Sequence, residues 1–158
     1  MGTLDPAAPL FWWRVAVAVA CGGAIGMERQ LRGKPAGIRT SILICLGTYV
    51  FVTLGASFQG ALADPTRVLG QVVTGIGFLG AGVIMTQGRL VVGVTSAAVV
   101  WLLAAIGATV ALGYEPAAVA ITAVTLVVLL GVQWLEHTFV ALRRGVHEWR
   151  TARGSNDG

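Results

Sequence analysis

Several groups of residues in this chain are of types that do chemistry. Gly75-x-Gly77-x-x-Gly80 has the spacing of the turn that cradles a dinucleotide pyrophosphate. Glu28, Arg29, Arg32, Lys34 and Arg39 bring one carboxylate and four cations into a single short segment. Asp64 and Arg67 form a second opposite-charge pair, and Glu28 and Asp64 are the best candidates for holding a metal ion. Gln71, Thr74, Thr95, Ser96 and Thr109 are polar groups set inside apolar runs. Cys21 and Cys45 also lie in apolar runs and form no metal-ligand pattern with His137 or His147, so they read as small buried residues.

What these groups can do depends on the elements that carry them. A dinucleotide turn needs a strand before it, a helix opening at the glycines and an acidic residue about 20 positions later. Here the glycines sit inside VLGQVVTGIGFLGAGVIM, and no Asp or Glu follows between Gly80 and Val100. The cofactor reading fails, and no other motif calls for one.

The 158 residues are 56% hydrophobic and 11% charged, with a mean hydropathy of +0.80. Soluble domains carry roughly 25% charged residues, and a chain this short has too little interior to hide so much apolar surface. Lipid is the solvent that composition requires. A hydrocarbon core of about 30 Å needs roughly 20 apolar residues at about 1.5 Å rise each. Five runs qualify, at about Leu10–Gly26, Thr40–Phe58, Val68–Met85, Val91–Leu112 and Pro116–Leu135.

The breaks between runs carry helix-end signals. Asp64-Pro65 reads as an N-cap followed by proline at the first helical position. Lys34-Pro35-Ala36-Gly37 reads as a turn, and Gly113 as a helix stop before Pro116 starts the next helix. Nine of the eleven basic residues fall on one side of the five spans, with Arg14 and Arg67 on the other. The positive-inside rule then places the N-terminus outside and the C-terminus in the cytoplasm. The expected fold is an all-α integral membrane protein with five transmembrane helices. Residues 1–135 form that domain, and 136–158 form a basic cytoplasmic tail whose Phe139, Leu142, Val146 and Trp149 lie on one helical stripe suited to the headgroup layer. The net charge of +4 is a topology signal, and nucleic-acid binding is excluded as a reading because no basic face lies outside these loops.

In lipid, small residues let helix backbones approach closely. Run three offers Gly70, Gly75, Gly77, Gly80 and Gly82, and run one adds Gly22-x-x-x-Gly26. Run three is therefore expected to be the central helix, with its glycines used for packing. A kink or break of the kind found at transport sites is the alternative.

Three segments resemble the MgtC/SapB family of bacterial inner-membrane proteins: GAIGMERQLRGKPAGIRTSILICLG (Gly23–Gly47), DPTRVLGQVVTGIGFLGAGVIM (Asp64–Met85) and VGVTSAAVVWLLAAIGATVALG (Val92–Gly113). The resemblance covers nearly all of the apolar part. It implies a five-span domain linked to magnesium limitation, with survival in host macrophages and inhibition of the F-type ATP synthase attached to some members. Members are generally regarded as lacking magnesium transport activity themselves. Longer members carry an ACT-like C-terminal domain, whereas this sequence stops about twenty residues after its last run. The family commonly has an arginine-like residue where this chain has Val92 before Gly93.

The charged segment from Glu28 to Arg39 has two readings: positive-inside anchors, or an ion-paired cluster with a role of its own. A surface pair alone contributes only about 0–1 kcal/mol, a weak reason to place one there. Asp64 caps run three with Arg67 as its partner, or collects a cation or a partner loop. The intramembrane hydroxyls and Gln71 bond back to their own helices, or converge on a small polar path. No catalytic constellation lies within the spans, so the expectation is a non-enzymatic accessory or regulatory protein of the inner membrane. Its expected partners are the lipid bilayer, further copies of itself and another membrane complex. The alternative is an oligomeric channel or carrier for Mg²⁺, an ion usually held by one or two carboxylates. Ionisable groups near mid-span, which such a path normally displays, are absent from the runs.

Overall fold

The computed structural model describes residues 4–57, 65–87 and 90–138. Five helices follow in order, α1 (Pro9–Leu31), α2 (Ile38–Ser57), α3 (Pro65–Val83), α4 (Val94–Ala111) and α5 (Glu115–Thr138). Two short strands, β1 (Met85–Gln87) and β2 (Leu90–Val92), pair antiparallel between α3 and α4, with Met85 opposite Val92. Four helices, α1, α2, α4 and α5, are long and apolar enough to cross a membrane, and α3 contributes a shorter apolar stretch, Arg67–Val83. The chain divides within α5 into two compact units, Met1–Thr122 and Ala123–Gly158. The described part of the second is the later half of α5, whose Val124, Val127, Val128 and Trp134 are exposed.

Helix ends follow local chemistry. Pro9 opens α1 where its missing N–H is not needed. At the other end Gly33 turns left-handed at φ 61°, and Lys34 N–H and Gly33 N–H return to the carbonyls of Arg29 and Gln30. That is a Schellman closure. α4 ends identically, with Gly113 at φ 83° and Tyr114 N–H donating to the carbonyl of Thr109. The expected stop at Gly113 is where α4 ends. Asp64, expected to cap α3, lies outside the described residues, as does the tail stripe from Phe139 onward.

The core of the first unit is α1, α2 and α4. On α1 the buried stripe runs Ala18, Cys21, Gly22, Ile25, Gly26 and Arg29, the i, i+3, i+4 rhythm of one helix face. A Cβ on Gly22 would stand 2.8 Å from the carbonyl oxygen of Ser41, and one on Gly26 would stand 2.6 Å from Ile38 Cα. The Gly22-x-x-x-Gly26 pair thus brings α1 onto the backbone of α2. From the other side Gly107 of α4 meets the backbone of Cys45 so closely that a Cβ would overlap its carbonyl oxygen. Tyr49, Leu103 and Ile106 are fully buried between these helices.

This differs from the expected centre. α3 lies at the flank, with Ile76 and Gly80 the buried residues among those described from Arg67 to Val83. Added Cβ atoms at Gly70, Gly75, Gly77 and Gly82 would meet nothing within 4 Å, and Gly80 alone of the five faces a neighbour, Ala97. The reason is compositional. α4 is apolar on every side and fills the middle, whereas α3 buries one narrow stripe and leaves its small residues facing outward. The short hairpin replaces what reads in sequence as the end of run three and the start of run four.

Candidate functional site

The buried stripe of α1 does not stop where its apolar residues stop. One turn beyond Ile25, the same face carries Glu28 and Arg29, both buried, with side chains 5% and 3% exposed. Arg32 follows one turn later, and its Nε lies 2.7 Å from Glu28 Oε1. The N–H is aimed off the oxygen, so neither Glu28 oxygen accepts a hydrogen bond. Arg29 Nη1 stands 3.7 Å from Glu28 Oε2, and its Nη2 donates to Ser96 Oγ at 2.8 Å. Ser96 is the third residue of α4 and is buried. Arg29 Nε has no partner.

The loop beside this cluster is tied down. Gln30 Oε1 accepts from Ile38 N–H at the start of α2, and Ser41 Oγ donates to the carbonyl of Ala36, itself left-handed at φ 61°. The cluster expected over Glu28–Arg39 therefore separates. Glu28, Arg29 and Arg32 come together against α4, while Lys34 and Arg39 are exposed.

The polar residues of the spans do not converge. Thr74 Oγ1 donates to the carbonyl of Gly70, and Thr109 Oγ1 to that of Ala105, each one turn back on its own helix. Gln71, Thr74 and Thr95 are exposed, and Ser96 alone of the five joins the charged cluster. Arg67 is exposed at the start of α3. Cys21 and Cys45 are free and buried, and Cys45 Sγ donates to the carbonyl of Leu103.

At the opposite end of the bundle lies a pair that sequence reasoning did not single out. Arg14 Nε donates to Glu115 Oε1 at 2.7 Å, with both side chains mostly buried. They are 101 residues apart, so no spacing rule links them. The available signal was topological: one cation near the start of the first run and one acid at the start of the fifth belong at the same level of the bilayer.

Between α2 and α3 an apolar groove of about 630 Å³ opens, lined among others by Leu43, Phe51, Val72, Gly75 and Leu79. Val68, one of its lining residues, also meets Gly55 of α2, where a Cβ on the glycine would stand 2.6 Å from Val68 Cγ1. A smaller hollow of about 270 Å³ lies between α3 and α4 beside Trp101. Among the described residues no three His, Cys, Asp or Glu side chains gather as a metal site would require.

Comparison with known proteins gives the lineage. The MgtC family model matches residues 15–138. YhiD of Escherichia coli (strain K12), named as a candidate magnesium transporter, is 43% identical over 122 residues, covering 73% of this chain and 56% of that protein. Protein MgtC of Brucella abortus (strain 2308) is 41% identical over 150 residues, covering 88% of this chain and 62% of its own length. Protein MgtC of Salmonella typhimurium (strain LT2) is 43% identical over 109 residues, 69% of this chain and 46% of that protein. The chain thus spans about half to three fifths of the length of these relatives. No solved structure matches it. With the matched segment running from the first helix to the end of the fifth, the chain belongs to the MgtC family.

Proposed function

We propose that this chain is a non-enzymatic accessory protein of the bacterial inner membrane, serving magnesium homeostasis or adaptation to low magnesium by contact with other membrane segments. Its partners are further copies of itself and another membrane complex, of which the F-type ATP synthase is the class its family suggests. The basic end is cytoplasmic in this reading, and the N-terminus is outside.

The observation that carries the proposal is the contrast between the two sides of α2. One side is closed onto α1 and α4 at backbone distance by Gly22, Gly26 and Gly107. The other opens into the apolar groove against α3. Beside it, α3 presents Gly70, Thr74, Gly77 and Ala81 outward, a flat strip on which a second helix fits closely. A tight core with an open apolar flank suits recognition of a helix better than passage of an ion. Among the described residues the charged side chains drawn into the bundle are engaged at its two ends, in the Arg14–Glu115 pair and the Glu28–Arg29–Arg32 cluster.

The name given to the E. coli relative favours a second reading, a magnesium carrier. Two measurements separate them. Purified protein in liposomes loaded with a magnesium-sensitive dye gives no flux above empty vesicles if it is an accessory protein, and robust flux establishes the carrier. Gly47→Leu combined with Gly75→Leu fills the groove at positions with open space. That variant should accumulate in the membrane yet fail to support growth at low magnesium, and normal growth would remove the groove from the mechanism.

A further inference from the structure

We propose that the end of the bundle where α1 finishes and α4 begins binds a phosphate-type oxyanion between Arg29 and the first turn of α4. Three observations lead there. Arg29 is a guanidinium with only 3% of its side chain exposed, and one of its donors, Nε, has no partner. Burying an arginine donor without an acceptor is costly, and an apolar residue of similar volume is usually the more stable choice. Each such buried donor in a folded protein has a physical reason, and a bound anion is one that would supply the missing acceptor.

The second observation is the uncapped start of α4. Gly93 holds the N-cap position and offers no side chain, and the first helical bond is Ala97 N–H to the carbonyl of Gly93. The N–H groups of Val94, Thr95 and Ser96 precede that bond and carry the positive end of the helix dipole. Arg29 reaches this same turn through its 2.8 Å bond to Ser96 Oγ. Glu28, the nearby carboxylate, does not serve as the cap, because neither of its oxygens accepts a hydrogen bond.

The third is charge. Glu28 faces two guanidinium groups, Arg29 and Arg32, beside a helix N-terminus. One negative charge against two cations and a dipole leaves a positive surplus, which repels a metal ion and attracts an anion. A guanidinium fork beside helix N–H groups is the arrangement that recurs around phosphate oxygens. Val94 and Thr95 are exposed, so the turn is open to approach. The ligand chemistry is shared by free inorganic phosphate and by the headgroup of an anionic phospholipid. The site uses different residues from the α2–α3 groove, so failure of either proposal leaves the other standing.

The test uses the full chain in nanodiscs of phosphatidylcholine, with thermal unfolding as the readout. One arm adds inorganic phosphate, with chloride at equal ionic strength as control. The other replaces part of the lipid by phosphatidic acid. A saturated site raises the midpoint by about 5–10 °C, the stabilisation expected at roughly a hundredfold excess over the dissociation constant. A rise in the first arm assigns the free anion, and a rise only in the second assigns the headgroup. No rise in either arm overturns the proposal. Arg29→Gln should abolish the rise. If that variant does not fold, Ser96→Ala decides, since it removes the contact that orients Arg29 and should weaken binding about tenfold. Unchanged binding in Ser96→Ala, or loss of the rise in the exposed-surface variants Lys34→Gln and Arg39→Gln, also overturns it.

Discussion

Replacing Gly26 by alanine tests the packing argument at its tightest point. The added methyl would lie 2.6 Å from Ile38 Cα and 2.9 Å from Ser41 Cβ. Two carbons prefer about 3.5–4.0 Å, so the methyl is roughly 1 Å too close to a backbone atom that has no rotamer to change. Overpacking of this kind costs about 1–3 kcal/mol. Alanine also gains about 1 kcal/mol of helix propensity over glycine, which hides part of the loss if Gly26→Ala is measured alone. Gly77→Ala supplies the correction, because its Cβ would meet nothing within 4 Å while the propensity gain is the same. The difference between the two variants is therefore the packing term, about 1–3 kcal/mol, or fivefold to 150-fold in the folding equilibrium. Reversible unfolding in bicelles, followed by tryptophan fluorescence, measures both. Equal stability of the two variants would refute the claim that α1 rests on the backbone of α2 through this glycine.

Arg14→Gln and Glu115→Gln should each cost about 1–3 kcal/mol by leaving a mostly buried charge unpaired, and the double variant should cost less than their sum. Additive losses in that double-mutant cycle would mean the pair does not interact. Glu28→Gln strips the buried carboxylate from Arg29 and Arg32 and should cost about 3–5 kcal/mol; a loss below about 1 kcal/mol would show the cluster to be solvated. Gly93→Ala forces a side chain onto φ 93° and onto the carbonyl oxygen of Val83, so poor accumulation in the membrane is expected, and normal yield and stability would contradict the hairpin geometry. Gly77→Leu should leave the stability of the single chain within about 0.5 kcal/mol yet abolish crosslinked oligomers, and retained oligomers would exclude that face of α3 as a contact between copies.

The helices were legible because their causes are local. Apolar length marks the spans, and Gly113 marks a left-handed helix end. The partners were not legible because they depend on where helices meet. Gly22-x-x-x-Gly26 and the glycines of α3 look alike in sequence, yet the first pair is pressed against α2 and four of the other five face open space. A small residue states that close approach is permitted, and it does not state by which neighbour. Likewise the segment from Glu28 to Arg39 reads as one run of charges, anchors or cluster, while the helical phase of α1 turns Glu28 and Arg29 inward, and Lys34 in the loop and Arg39 on α2 are exposed. The bond from Arg29 to Ser96 crosses 67 residues and has no spacing signature. The hairpin escaped because Met85 and Leu90–Val92 are as apolar as the runs they adjoin, and hydrophobicity alone does not separate three residues of strand from the end of a helix.

The contact of Gly55 with Val68 has a mechanical consequence. It joins α2 and α3 at one end, and beyond it the two part company. α2 is backed by α1 and α4 at backbone distance, whereas α3 is backed chiefly by α4, with Gly80 against Ala97, so anything wedged into the opening meets one wall held more closely than the other. A shift of the less closely held helix about that contact would pass to the hairpin that follows it in the chain and so to the start of α4. Occupancy deep in the bilayer would then be felt as a displacement at its basic rim.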